Sequence, residues 1–250
     1  MYPLLQWRLL SSLLLTVVAA AVYADDLLNW LGYTVADATL VRALPVILLG
    51  VFSAIFAPTG YWAPWRAIWR LFPSLNNWFP DLNGVWVGTT NSNWPTIKTM
   101  VESAQSQKTV SEQELHDTPH QSDAMAVQIT CNLFSLKIHA ALTSTKGKSH
   151  SVTAKPWRHQ HTQLFHLSYI YRQETPNVAA TDKESHLGAA DLALEGEGFS
   201  ILKGTYWTCR SWRTGRNTAG TLDLKRLQAQ KEKGKDLSTY ADEHKAKLRD

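Results

Sequence analysis

The hydrophobic pattern changes its period near residue 80. Before that point apolar residues run on with hardly a break. Leu9–Ala24 is sixteen residues without a charge, and Ala43–Trp65 is twenty-three. A bilayer-spanning helix needs about 20 mostly apolar residues. The pattern predicts two transmembrane helices, the first reaching back to Leu4 with Arg8 snorkelling towards the headgroups. After Pro80 the period becomes two. Phe134, Leu136, Ile138, Ala140 and Leu142 alternate with Ser135, Lys137, His139, Ala141 and Thr143, the mark of a half-buried strand.

Similar runs fall at about 85–91, 125–131, 150–157, 163–172, 186–194, 200–209 and 218–226. Turn chemistry separates them: Lys146-Gly147-Lys148, Thr175-Pro176-Asn177, Glu195-Gly196-Glu197-Gly198 and Thr214-Gly215. A helix is expected only inside 95–118, within an insertion rich in Gln, Ser, Glu and His. Eight strands of this length can close as a small antiparallel barrel, with room inside for packed side chains or one small ligand. A β-sandwich is the alternative. The predicted fold class is therefore a membrane-anchored all-β protein: two N-terminal transmembrane helices, then a small eight-stranded antiparallel lipocalin-like β-barrel. The expected domains are 1–70 for the membrane region and its interfacial segment, 80–227 for the barrel, and 228–250 for a charged tail.

Charge sharpens this division. Of 46 charged side chains, residues 1–65 hold five: Arg8, Asp25, Asp26, Asp37 and Arg42. The average composition, 44% hydrophobic and 18% charged, hides that asymmetry. It excludes a single soluble enzyme domain. The loop 25–40 carries all three acids of the region, while Arg66 and Arg70 follow the second span. The positive-inside rule then places both termini in the cytoplasm of a two-pass inner-membrane protein, with the acidic loop outside. Tyr61, Trp62, Trp65 and Trp69 follow at helical spacing, as an aromatic belt leading into an interfacial helix. The competing reading is a signal peptide ending near Val22-Tyr23-Ala24. Cys131 and Cys209 form no C-x-x-C pattern and read as buried free thiols. The tail, interrupted at Gly234, reads as a solvated helix or a disordered segment.

In an up-and-down meander, the inward residues of the odd strands run from apolar to polar. Trp86 and Leu202 lie at one end. Thr90, Tyr169, Tyr171, Thr208 and Arg210 lie towards the other, with His186 and Thr218 at the starts of strands six and eight. One end reads as plugged and the other as a polar mouth under the longer loops. Aromatic rings there suit stacking on a nucleobase, and Arg210 or Arg172 suits a phosphate. The candidate ligand-binding residues are Thr90, Asn93, Trp94, Tyr169, Tyr171, Arg172, His186, Tyr206, Thr208 and Arg210. At the other end, Gly84-Val85-Trp86 and Arg226 resemble the G-x-W and closing Arg of lipocalin-type barrels, a cation–π pair.

Catalytic motifs are missing: no G-x-S-x-G, P-loop or H-E-x-x-H occurs. His159 with His161, and His116 with His120, lack a completing carboxylate or cysteine. The expectation is no enzyme, no cofactor, no metal and no DNA or RNA partner.

Two spans are followed by Phe79-Pro80-Asp81-Leu82-Asn83-Gly84-Val85-Trp86-Val87-Gly88-Thr89-Thr90-Asn91-Ser92-Asn93-Trp94. A β-rich region then ends in Gly204-Thr205-Tyr206-Trp207-Thr208-Cys209-Arg210 and Thr218-Ala219-Gly220. Over about residues 1–227 this resembles the two-transmembrane, β-strand-rich effectors of CBASS anti-phage systems, the CD-NTase-associated protein 15 group. Cys209 departs from the pattern, standing where a polar residue such as Asn is expected. The resemblance implies a partner nucleotidyltransferase (CD-NTase) that makes a cyclic dinucleotide, and a barrel that binds it. It further implies self-association through the membrane helices, disruption of the lipid bilayer and death of the infected cell. The alternative is a membrane-tethered lipocalin-like carrier of a small apolar ligand, which would need an apolar mouth.

Overall fold

The computed structural model describes residues 64–77, 80–131, 135–176, 183–227 and 235–248, with a few isolated positions before residue 31. The predicted spans lie almost wholly outside these residues. Among the described residues no helix is long and apolar enough to cross a membrane. The chain forms two compact units, residues 1–81 with 132–135, and residues 82–131 with 136–250. In the first, helix α1 (Pro64–Leu71) opens on a proline, which suits a first-turn position with no amide to satisfy. A 3-10 turn, Pro73–Asn77, follows.

The second unit is the barrel. Its strands are β1 (Gly84–Ser92), β2 (Gln121–Cys131), β3 (Leu136–Leu142), β4 (Lys148–Arg158), β5 (Phe165–Glu174), β6 (Ser185–Glu195), β7 (Ile201–Cys209) and β8 (Ala219–Arg226). Each pairs antiparallel with its sequence neighbour, and β1 also pairs with β8, so the sheet closes in the order β1 to β8. Closure removes the free edges that would otherwise template pairing with another chain. The predicted meander and strand count match this topology. The interior follows from period two: Phe165, Leu167, Tyr169 and Tyr171 of β5 are all buried, while Ile170 between the tyrosines and Arg172 after them are exposed.

The insertion between β1 and β2 is more ordered than its composition indicates. It holds α2 (Trp94–Ser106) and α3 (Glu112–Asp117), the latter started by a capping box between Ser111 and Glu114. Strand β2 then begins at Gln121, four residues earlier than the sequence pattern places it.

The tail also differs from its expectation as a solvated or disordered segment. Helix α4 (Leu237–Lys247) is capped by Asp236, whose Oδ1 accepts from the Leu237 amide at 2.8 Å. Its buried residues Leu237, Tyr240 and Ala241 pack on Val85, Val87, Ala126 and Ala141, on the outer face of β1–β3. The i, i+3, i+4 stripe is short and flanked by charge, so it hardly registers in the sequence. Alanines at 126 and 141 let the helix approach the sheet closely. This packing explains why Val85, Trp86 and Val87 are buried in succession, where a one-sided strand would alternate.

The plugged end is built as the G-x-W resemblance implies. The Trp86 ring is fully buried, and its Nε1 donates to the Leu82 carbonyl at 3.2 Å. Trp86 lies opposite Arg226 in register, and the Arg226 guanidinium carbon sits 5.6 Å from the ring centroid. Arg226 Nη2 also donates to the Asn83 carbonyl. Gly84 has a φ of +144°, and a β-carbon there would come within 3.3 Å of Arg226 Nε. Only glycine suits both that backbone and that neighbour. Asn83 completes the plug: its amide donates to the Cys131 carbonyl at 2.9 Å and accepts from the Cys131 amide at 2.7 Å.

Candidate functional site

A cavity of about 250 Å³ opens at the other end of the barrel. The β1–β2 insertion and the β3–β4, β5–β6 and β7–β8 loops all lie at this end, because antiparallel strands alternate in direction. Strand β5 contributes Tyr169, Tyr171 and Gln173 to the wall, three inward residues two apart. The rings of Tyr169 and Tyr171 tilt against each other with centroids 5.8 Å apart. Register sets Tyr171 opposite Gly188 of β6, and a β-carbon at Gly188 would lie 2.3 Å from the phenol Cζ. The glycine is the space into which the Tyr171 ring folds. Burial pushes the hydroxyls of Tyr169 and Tyr171 well above the ordinary tyrosine range. For Tyr171 the neighbouring phenols of Tyr169 and Tyr206 push the same way, against an opposing pull from Arg210. Both hydroxyls therefore stay protonated, able to donate as well as accept.

Another part of the rim, two strands on from β5, is cationic. Arg210 and Arg216 flank the short 3-10 turn Trp212–Thr214, and both line the cavity. The turn is tied by Arg216 N donating to the Ser211 carbonyl at 3.1 Å and Ser211 N donating to Asn217 Oδ1 at 3.1 Å. Thr208 and Thr218 also line the cavity, but their groups serve each other. The Thr218 amide donates to Thr208 Oγ1 at 3.0 Å, and the two hydroxyls lie 3.0 Å apart. Asp123 is the one acid of the lining; it is held by Ser144, whose Oγ donates to it at 2.5 Å and whose amide lies at 3.1 Å.

Seven of the ten candidates meet here: Thr90, Trp94, Tyr169, Tyr171, Tyr206, Thr208 and Arg210. Three do not line the cavity. Arg172 points outward, where its Nη1 reaches Ser185 Oγ at 3.4 Å, because the residue after an inward tyrosine faces the other side of the sheet. Asn93 acts as a latch: its Oδ1 accepts from the Ala219 amide at 2.9 Å, and its own amide donates to the Ala219 carbonyl at 3.0 Å. That fixes the start of α2 against β8. His186 is buried, 4% exposed, beside Gln173 in register but outside the lining. Cys209 is exposed on the outer face of β7, so the departure from the family pattern lies away from the cavity and corrects its reading as a buried thiol.

The sequence reading missed Gln173, Ser149 and Arg216 among others. Gln173 was in reach, since it continues the alternation Phe165, Leu167, Tyr169, Tyr171 by one more step. Strand β5 runs two residues further than its apolar signal, and polar inward residues near a mouth carry no hydrophobic mark.

Comparison with known proteins bears on this geometry. Residues 105–226 match the family model described as "Cap15, cyclic dinucleotide receptor domain". That span runs from the end of α2 to the last residue of β8. A curated relative from Escherichia albertii, CD-NTase-associated protein 15, is 29% identical over 164 residues, covering 64% of this chain and 70% of the relative. The match takes in seven of the eight strands and both arginines of the rim, and it shows the resemblance read from the sequence. Over residues 105–226 the barrel of this chain is similar to the Cap15 cyclic dinucleotide receptor domain.

Proposed function

We propose that this chain is a CBASS effector whose barrel mouth binds a cyclic dinucleotide. The observation that carries the reading is the composition of the cavity: two arginines on one loop, and a wall of Tyr169, Tyr171, Tyr206 and Trp94. Phosphodiesters carry fixed negative charge that guanidinium groups accept in a planar, two-pronged geometry. Bases are flat and stack on aromatic rings. A carrier of an apolar ligand would have no use for two arginines and an acid at its mouth. The family match and the relative's name support the same ligand class.

The remainder of the proposal rests on the sequence. The spans at 4–24 and 43–65 anchor the protein in the bacterial inner membrane as a two-pass protein, with both termini and the barrel in the cytoplasm. A CD-NTase supplies the signal, and ligand binding drives self-association of the spans. Two helices enclose no pore, so disruption of the bilayer requires several protomers. The chain performs no catalysis and uses no cofactor.

Titration calorimetry of the detergent-solubilised full chain against a panel of cyclic dinucleotides tests the ligand class. Saturable binding of at least one member is expected, weakened about tenfold or more in Arg210→Ala, in line with loss of a charge-assisted hydrogen bond. Failure of every member to bind would overturn the proposal.

A further inference from the structure

Polar groups around the cavity divide into those already satisfied within the protein and those that are not. Thr208, Thr218 and Asp123 are in the first class, with the hydrogen bonds given above. Gln173, Tyr169 and Tyr171 are in the second. They are 6%, 7% and 8% exposed, and their side chains make no hydrogen bond with any described residue. The polar atoms of these three are not sealed into the wall but open onto the cavity. Gln173 is positioned by register between Ser149 of β4 and His186 of β6, on the inward face of β5. A β-carbon on Gly147 would lie 2.9 Å from its Nε2, so the β3–β4 loop closes over the amide. The stretch Tyr169, Tyr171, Gln173 is thus an uncharged wall with donors and acceptors in reserve. The arginines of the lining, Arg210 and Arg216, stand on the β7–β8 loop.

We infer that the two walls divide the ligand between them: Gln173, with the Tyr171 hydroxyl beside it, reads the hydrogen-bonding edge of one base, and Arg210 and Arg216 hold the phosphodiesters. This rests on the proposed cyclic-dinucleotide reading and adds which residue sets base preference. The chemistry is specific. A glutamine amide offers one donor and one acceptor side by side, as base edges do, and a good two-point pair discriminates between bases by about tenfold or more. Phosphate contacts hold any cyclic dinucleotide equally, whatever its bases. Gln173 is a specificity-determining residue, while the arginines set overall affinity.

Two variants of the full chain separate this from a structural role. Gln173→Leu keeps the side chain's bulk and removes the amide. A thermal midpoint close to wild type is expected, because the amide bonds no described residue and faces the cavity. A large drop would show that the amide holds the barrel together, and would overturn the inference. Affinities for cyclic di-AMP, cyclic di-GMP, cyclic di-UMP and cyclic UMP–AMP are then compared across wild type, Gln173→Leu, Gln173→Glu and Arg216→Ala. In Gln173→Leu the preferred ligand should weaken about tenfold and the spread across the panel should shrink. Gln173→Glu, an acceptor-only carboxylate, should shift the ranking towards guanine, whose edge presents two adjacent donors. Arg216→Ala should weaken all four ligands alike, keep their order and flatten the salt dependence. An unchanged ranking in both Gln173 variants, with binding intact, would overturn the inference and leave the proposed function standing. Binding of no ligand by the wild type would overturn both.

Discussion

The two ends of the barrel use buried aromatic residues in opposite ways. At the closed end Trp86 is fully enclosed and its polar atom is committed: Nε1 donates to Leu82, and Arg226 covers the ring. At the mouth Tyr169 and Tyr171 are nearly as enclosed, yet their hydroxyls have no protein partner among the described residues. The closed end is complete by itself. On the proposed reading, a ligand completes the mouth. On that reading stability resides in one and recognition in the other, and the same eight strands can carry both because a barrel has two ends with independent loops. The division is the usual one in which a functional site keeps groups that folding alone would not favour.

The largest expected effect tests that division directly. Trp86→Ala removes a fully buried indole and should cost about 3–5 kcal/mol of stability, measured by denaturant unfolding of the full chain. Tyr171→Phe at the mouth should leave the unfolding midpoint nearly unchanged, since the hydroxyl it removes satisfies nothing within the protein. Comparable losses in the two variants would break the comparison. A middle-sized effect is expected at Gly188. An alanine methyl there would sit 2.3 Å from Tyr171 Cζ, so the ring must move. Overpacking of this kind costs about 1–3 kcal/mol. Gly188→Ala should also weaken cyclic-dinucleotide binding by displacing the phenol, seen by calorimetry beside the unfolding curve.

The smallest effect concerns the helix strapped to the outer wall. Ser238, the Leu237 amide and Lys148, in that order, hold the Asp236 carboxyl below its usual range. Stability contributed by a depressed carboxylate is present above its unfolded pKa and is lost as pH falls through the folded one. The protection factors of the α4 amides, measured against their intrinsic rates, should therefore fall once the pH drops below the ordinary carboxylate range. Asp236→Asn should exchange faster at neutral pH and respond less to acid. The ion pairs Lys148–Asp236 and Lys146–Asp242, both at 3.2 Å, are largely exposed and add little.

The barrel itself was legible because its signal is periodic. Alternation in β5 and β7, turn glycines and the paired Trp86 and Arg226 all point to one closed meander. Three things were hidden, each for a physical reason. Helix α4 buries only Leu237, Tyr240 and Ala241 among charged neighbours, too narrow a stripe to stand out. Arg172 was placed at the mouth on its chemistry, although parity with Tyr171 already directs it outward. Gln173 was passed over because the strand signal is hydrophobic, and the last inward residue of a strand at a polar mouth is not. Sequence patterns mark what folding buries; Gln173 is found only by asking which polar side chains line the cavity without bonding a described residue.

The central claim, that the mouth and not the closed end is the ligand site, is tested most directly by hydrogen–deuterium exchange of the full chain with and without the tightest-binding cyclic dinucleotide. Slower exchange is expected at 144–149, 169–175 and 208–218, with no change at 82–86, 196–202 and 224–227. Protection centred on the closed end, or no protection at the mouth under saturating ligand, would contradict it.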